Sequence, residues 1–132
     1  MGDVNYLAIV VAALVAFVLS SAWYIVFGKQ RAELLGVAAA AETSRPPAWM
    51  MLVELVRSIV LGAVLAGLAA NLDVVDWTGA LGLGFVLWVG FPFVLLTGSV
   101  IWDHVPWELA AIHAGDWLLK LLVVSVIVSV WR

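Results

Sequence analysis

The sequence contains no cysteine, little charge and no cluster of basic residues. The lack of cysteine among its 132 residues excludes disulfides, thiolate catalysis and thiolate metal sites. Charged residues make up 11% of the chain and the net charge is -3, so there is no Lys/Arg surface for contacts with phosphates. We therefore expect no nucleic-acid partner.

Apolar residues dominate what is present. They make up 66% of the chain, and the mean hydropathy of +1.17 leaves too little polar surface to coat a soluble globule. Four apolar runs each reach the roughly 20 residues that cross a hydrocarbon core about 30 Å thick. The sequence thus predicts an all-α, integral membrane four-helix bundle, a single domain over 1–132 with spans at 5–27, 49–71, 77–101 and 109–131.

The distribution of cations predicts how the chain is oriented in the membrane. Lys29, Arg31 and Arg45 lie in the connection between the first two spans, whereas the second connection carries acids and no cation. Cytoplasmic connections are enriched in Lys and Arg. We therefore expect this first connection to be cytoplasmic and both termini to lie outside, with Arg132 as the one cation against the rule.

The first connection is also the longest, and it has features of a surface helix. Residues 29–42 mix leucine and valine with Arg31 and Glu33 at helical spacing. Pro46 and Pro47 cannot continue a helix interior but suit the first turn of a new one. The sequence predicts a short interfacial helix that ends before these prolines.

Small residues and proline mark two places in the predicted spans. Pro92 removes a backbone hydrogen bond from the third span and Gly90 relaxes the backbone beside it, so we expect a kink there. Gly62, Ala66 and Ala70 follow one another at four-residue intervals in the second span and form a ridge of small side chains. Such a ridge permits close approach of another helix, either from the same bundle or from a partner.

Ionisable residues inside the predicted spans are the best candidates for a functional site, because a charge in the bilayer interior costs about 3 kcal/mol even on the most permissive scale. Glu54 and Arg57 are three residues apart in the second span. His113, Asp116 and Lys120 follow at intervals of three and four in the fourth span. Each set therefore lines one helix face, and both sets lie in the same half of the membrane.

Two interpretations of these five residues remain open. In the first, Arg57 and Asp116, at equal depth, pair across the bundle and form a binding or proton-relay site with the other three. His113 is its weakest member because it lies near the interface, although histidine can change charge near neutral pH. In the second, Glu54 pairs with Arg57 and Asp116 with Lys120 within their own helices, as a structural device. Hydroxyl groups on the other spans could complete the first cluster: Ser20, Ser21, Thr97 and Ser99.

The remaining polar residues do not predict catalysis. His104 and His113 are separated by nine residues and a proline, a spacing that matches no standard metal-ligand set even with Asp103 and Glu108 nearby. No nucleophile has an adjacent general base. We therefore expect that the protein has no metal site and is not an enzyme. The sequence does not indicate which cofactor, if any, it binds.

Several short motifs together resemble one family. They are Asn5-Tyr6-Leu7-Ala8, Trp23-Tyr24, Phe27-Gly28-Lys29 and Gly36 near the start, then Trp88-Val89-Gly90-Phe91, then Ile112-His113-Ala114-Gly115-Asp116-Trp117-Leu118. In order and spacing they resemble the bacterial family called domain of unknown function 1761. The resemblance implies a four-span protein of a bacterial inner membrane, without an assigned activity or catalytic residues.

Three classes of function are compatible with these patterns. The short connections and the absence of an unpaired charge favour an accessory, structural or binding subunit of a membrane assembly. The alternative is an oligomeric transporter or channel, for small molecules or coupled to protons, that uses the charged cluster and the break at Gly90 and Pro92. An enzyme ranks third. Beyond the lipid bilayer, we expect a second copy or another membrane protein as partner, because so small a bundle buries little by itself.

Overall fold

The computed structural model describes residues 4–35 and 47–131, and these residues form helices joined by short turns. In chain order the helices are α1 (Tyr6–Val26), α2 (Gly28–Leu35), α3 (Ala48–Asn71), α4 (Trp77–Trp88), a π-helical turn (Val89–Phe93), α5 (Val94–Trp102) and α6 (Trp107–Val130). Four helices are long and apolar enough to cross a membrane: α1, α3, the run Trp77–Trp102 and α6. We call them the first to fourth spans. The all-α, four-span prediction is confirmed, with span limits that agree to within two residues.

Side chains at the start of two spans explain why the helices begin where they do. The Asn5 side-chain oxygen accepts hydrogen bonds from the backbone N–H groups of Leu7 and Ala8, at 3.0 and 3.3 Å. Asp76 accepts from the backbone of Gly79 at 3.0 Å. Both side chains satisfy N–H groups that have no partner within the first turn of a helix.

The connection after the first span does contain a short helix, α2, which runs over Gly28–Leu35. The predicted continuation to residue 42 and the stop at Pro46 lie outside the described residues. Pro47 immediately precedes the first residue of α3. This is the position at which proline starts a helix without losing a hydrogen bond that the helix needs.

The third span departs from α-helical geometry at the position where the sequence predicts a break. Val89–Phe93 form a π-helical turn that contains Gly90 and Pro92. Proline has no N–H to donate and its ring crowds the preceding turn, and the wider π turn is one way to accommodate it. The third span is therefore two α-helices joined by this turn.

The fourth span lies at the centre of the bundle, since it contacts each of the other three spans. Its buried residues Leu121, Val124 and Val128 meet small and aliphatic side chains of the first and second spans, which complete the core: Ile9, Ala12, Ala16, Leu65 and Ala66. The first and second spans also pack on each other. The bundle is thus organised around α6.

Small residues allow close packing on both sides of this core. In the predicted ridge of the second span, a methyl group on Gly62 would lie 3.4 Å from the Ile9 carbonyl oxygen, so this ridge packs against the protein's own first span. In the third span, a methyl group on Gly84 would lie only 2.8 Å from the Leu121 carbonyl oxygen. Backbones approach one another in this way where membrane helices lack large side chains.

Candidate functional site

Three ionisable residues of the fourth span, His113, Asp116 and Lys120, lie on its inner face. The carboxylate of Asp116 and the ammonium of Lys120 are 3.2 Å apart, and only 3% and 10% of these side chains are exposed. The Ser20 hydroxyl of the first span donates to the other carboxylate oxygen of Asp116 at 2.7 Å. Both oxygens of this buried carboxylate are therefore bonded, one of them across the bundle.

The ammonium group of Lys120 has an aromatic neighbour as well. Its nitrogen lies 4.0 Å from the centre of the Trp117 ring. The negative face of an indole attracts a cation at this distance, most strongly where water is excluded. Trp117 and Asp116 together compensate for the hydration that Lys120 loses on burial.

One turn nearer the start of α6, His113 bonds to the first span in the same manner. The hydroxyl of Tyr24 and Nδ1 of His113 are 2.6 Å apart. When His113 is neutral with its proton on Nε2, Tyr24 is the donor of this bond. The guanidinium group of Arg31, on α2, lies 5.6 Å from the centre of the Tyr24 ring. The polar contacts thus continue from the bundle interior to α2.

Two tryptophans hold the same turn of the fourth span through its backbone. Trp23 of the first span donates its indole N–H to the carbonyl oxygen of Ile112, and Trp88 of the third span donates to that of Ala114, both at 2.9 Å. A buried indole N–H needs such a partner. The turn that carries His113 and Asp116 is therefore fixed by bonds from two neighbouring helices.

The structure separates Glu54 and Arg57 from His113, Asp116 and Lys120. It has the two within-helix pairs of the second interpretation, and the pairing of Arg57 with Asp116 in the first interpretation is wrong. Arg57 bonds to Glu54 on its own helix, and their side chains are 57% and 46% exposed. Helical rise places Arg57 and Asp116 at the same depth in the membrane. However, Arg57 points away from the bundle, whereas Asp116 points into it. Of the five predicted residues, His113, Asp116 and Lys120 share one face, and Glu54 and Arg57 form a second, outer pair.

Of the four hydroxyl groups predicted to complete a cluster, one reaches it. Ser20 bonds to Asp116, whereas Ser21, Thr97 and Ser99 donate to carbonyl oxygens three or four residues earlier on their own helices. A serine or threonine in a membrane helix can satisfy itself in this way without a partner helix. Depth alone therefore does not predict which hydroxyl groups contact the charges.

An apolar cavity that is largely open to the outside of the bundle lies on the other side of this turn, between the third and fourth spans. Its volume is about 480 Å³ and its wall includes Trp88 and Phe93 at the π-helical turn, Thr97, and Ala114 and Gly115 of α6. Cavities of roughly 300–1,000 Å³ lined by apolar groups are the usual size of small-molecule sites. Among the described residues, no three His, Asp or Glu side chains come close enough to hold a metal ion.

Sequence reasoning missed the hydrogen bonds of Trp23, Tyr24 and Trp88. A signal for one of them is in the sequence, because Trp88 lies deep in a span and its indole N–H has no water there to bond to. Which carbonyl oxygen it reaches depends on the packing of the third span on the fourth. That packing has no sequence signature.

The model of the family described as Protein of unknown function (DUF1761) matches residues 7–129. No curated protein and no solved structure matches the chain. Since the matched region contains nearly all of the four spans and includes His113, Asp116 and Lys120, the chain belongs to the DUF1761 family.

Proposed function

We propose that the protein is an accessory, structural or binding subunit of a membrane assembly. The observation that carries the proposal is the pair Glu54 and Arg57, which is about half exposed although it lies within a membrane span. Trp49 marks the predicted membrane interface. By helical rise, Glu54 and Arg57 lie roughly 7 and 12 Å deeper in the membrane than Trp49. A charge left facing lipid costs free energy, and contact with another protein relieves it.

The inner polar residues support the same proposal. Asp116 and Lys120 are buried, paired and bonded to Ser20. Such a neutral pair, satisfied by its own bundle, is suited to holding helices in place. The connections between the last three spans are also short, covering only 72–76 and 103–106, which leaves little chain for chemistry outside the membrane.

Photo-crosslinking in intact membranes tests this proposal. A photoreactive amino acid replaces Val60, which is exposed on the same face as Arg57, or Ile59, an exposed neighbour about 100° around the helix. We expect protein adducts from position 60 and mainly lipid adducts from position 59. Lipid adducts alone at both positions would show that the outer face is covered by lipid and would refute the proposed association.

A second candidate function, proton-coupled transport, is favoured by a specific arrangement. The Tyr24–His113 bond and the Asp116–Lys120 pair lie on successive turns of α6, and the apolar cavity borders the same helix at Ala114. Protonatable groups next to a cavity and a π-helical turn are features of carriers. Proton flux into liposomes that contain the protein, abolished by Asp116→Asn but not by Glu54→Gln, is the measurement that would favour transport.

We further propose that the chain lies in a bacterial inner membrane with both termini outside. The three cations of the first connection support this orientation, since the second connection has none. Two of them, Lys29 and Arg31, lie on α2, which directly follows the first span. The resemblance of the sequence motifs to a bacterial family supports the choice of membrane.

A further inference from the structure

The outer side of the second span carries a regular stripe of exposed residues. We call it the second-span face, and it consists of Val53, Arg57, Val60 and Val64. With about 100° per residue in an α-helix, these four positions point away from the buried residues of the same helix, Ser58, Gly62 and Leu65. The second-span face is therefore available to another helix.

The spacing of this face is the spacing of a helix–helix seam. Intervals of four, three and four residues repeat every seven, the pattern by which two helices stay in contact while they cross at a small angle. Three of the four members are valines, whose short branched side chains are stiff and pack closely. The second-span face is thus shaped for a helix that runs alongside α3.

Glu54 and Arg57, on this side of the helix, are one acid and one base, so this pair is complementary in charge to a second copy of itself. Arg57 donates from one guanidinium nitrogen to Glu54, and within residues 4–35 and 47–131 neither side chain bonds to any other group. A guanidinium group has five N–H donors and a carboxylate two acceptor oxygens, so each retains capacity for a second partner. The best partner for this pair is one that presents an acid and a base at the same depth.

We propose that a second copy of this chain occupies the second-span face. Two copies with the same membrane orientation, related by a two-fold axis along the membrane normal, bring identical depths together. The two Arg57 side chains then lie side by side at the axis, with the two Glu54 side chains one turn away on either side. Each guanidinium group can bond to Glu54 of its own copy and to Glu54 of the other copy, so that the four charges are removed from lipid. The inference rests on the proposed role as a subunit and names the occupant of its contact surface.

Disulfide crosslinking tests the proposal without background, because the chain has no cysteine of its own. Val60→Cys places a thiol in the seam, and Ile59→Cys places one at almost the same depth off the seam. After reconstitution of the purified protein at high lipid dilution, oxidation should give several-fold more dimer from Val60→Cys than from Ile59→Cys. Equal yields from the two variants would overturn the proposed seam.

Charge reversal then tests the pairing. Arg57→Glu in the Val60→Cys background puts only acids at the interface, and we expect the dimer yield to be largely lost. Adding Glu54→Arg restores one acid and one base on each copy, and the yield should recover. The swapped variant also controls for folding, because it has the same composition as the parent. A swap that fails to recover although the helix content is unchanged would overturn the pairing between copies.

The outcomes separate this inference from the proposed function. If the photo-crosslinker at position 60 captures a different membrane protein and the purified chain gives no disulfide dimer, the role as a subunit stands and the second copy is wrong. If position 60 captures only lipid and no dimer forms, the role as a subunit and the second copy are both wrong. Arg57 then reaches toward the headgroups instead. A disulfide dimer with the charge dependence described above supports both.

Discussion

Gly115 of the fourth span leaves room for the indole of Trp23 on the first span. A methyl group on Gly115 would lie 2.9 Å from Cη2 of that ring and closer still to Cζ2. The ring cannot move away freely, because its N–H is bonded to the Ile112 carbonyl oxygen one turn earlier. The absence of a side chain at position 115 is therefore a condition for the contact between the first and fourth spans.

The first prediction follows from this contact. Gly115→Ala should destabilise the protein by about 1–3 kcal/mol, the usual cost of overpacking, despite the higher helix propensity of alanine. Gly98→Ala is the matched control, since a methyl group there meets no atom within 4 Å. Thermal unfolding in mild detergent measures both. Equal stability of the two variants would show that Trp23 adjusts without loss of its hydrogen bond.

The second prediction compares two glycines of the same helix. A methyl group on Gly84 would lie 2.8 Å from the backbone oxygen of Leu121, whereas one on Gly82 would meet nothing within 4 Å. Backbone cannot rotate aside as a side chain can, so Gly84→Ala should push the third span from the fourth. We expect a loss of roughly 1–3 kcal/mol for Gly84→Ala and little change for Gly82→Ala. A similar loss in both variants would mean that glycine flexibility, and not the close contact, determines stability.

The third prediction concerns the buried ion pair. Asp116→Leu leaves Lys120 buried without its carboxylate and should destabilise the protein by about 3–5 kcal/mol. The double variant Asp116→Leu/Lys120→Met removes both charges and should recover most of this loss. Glu54→Gln, which alters the exposed pair, is the control and should change stability little in detergent. Urea titration in mixed micelles provides the free energies, and additive losses in the double variant would contradict the coupling.

The fourth prediction concerns orientation. A reporter that is active only in the cytoplasm should be active when fused after Arg45 and inactive at the C-terminus, since Lys29, Arg31 and Arg45 are retained inside. Replacing these three cations by glutamine, without other change, should weaken or invert the difference. Opposite activities in the unmodified protein would show that the first connection lies outside.

The span limits could be predicted because they depend on composition and length. Each span is an apolar run between charged residues, prolines and tryptophans, and these boundaries are local in the sequence. The shared face of His113, Asp116 and Lys120 was also predictable, since intervals of three and four residues place side chains on one side of any α-helix. Local periodicity is sufficient for both features.

The direction in which each face points was not predictable. In a soluble helix, apolar residues mark the inner side, but here both sides are apolar because lipid is as apolar as the core. The depth of Arg57 follows from helical rise, whereas its outward direction depends on how the second span packs against the first and fourth. The pairing of Arg57 with Asp116 was wrong for this reason. The bond from Ser20 to Asp116 depends on the same long-range packing.

The central position of α6 has a consequence for biosynthesis. The ribosome completes this helix after the other three spans, yet it supplies the contacts that join the third span to the rest of the bundle. Until it inserts, Ser20 has no carboxylate to bond to and the indoles of Trp23 and Trp88 have no carbonyl acceptor on a neighbouring helix. The fourth span therefore closes a bundle that the first three spans leave unfinished, and Asp116 and Lys120 enter the membrane together, four residues apart and already able to neutralise each other.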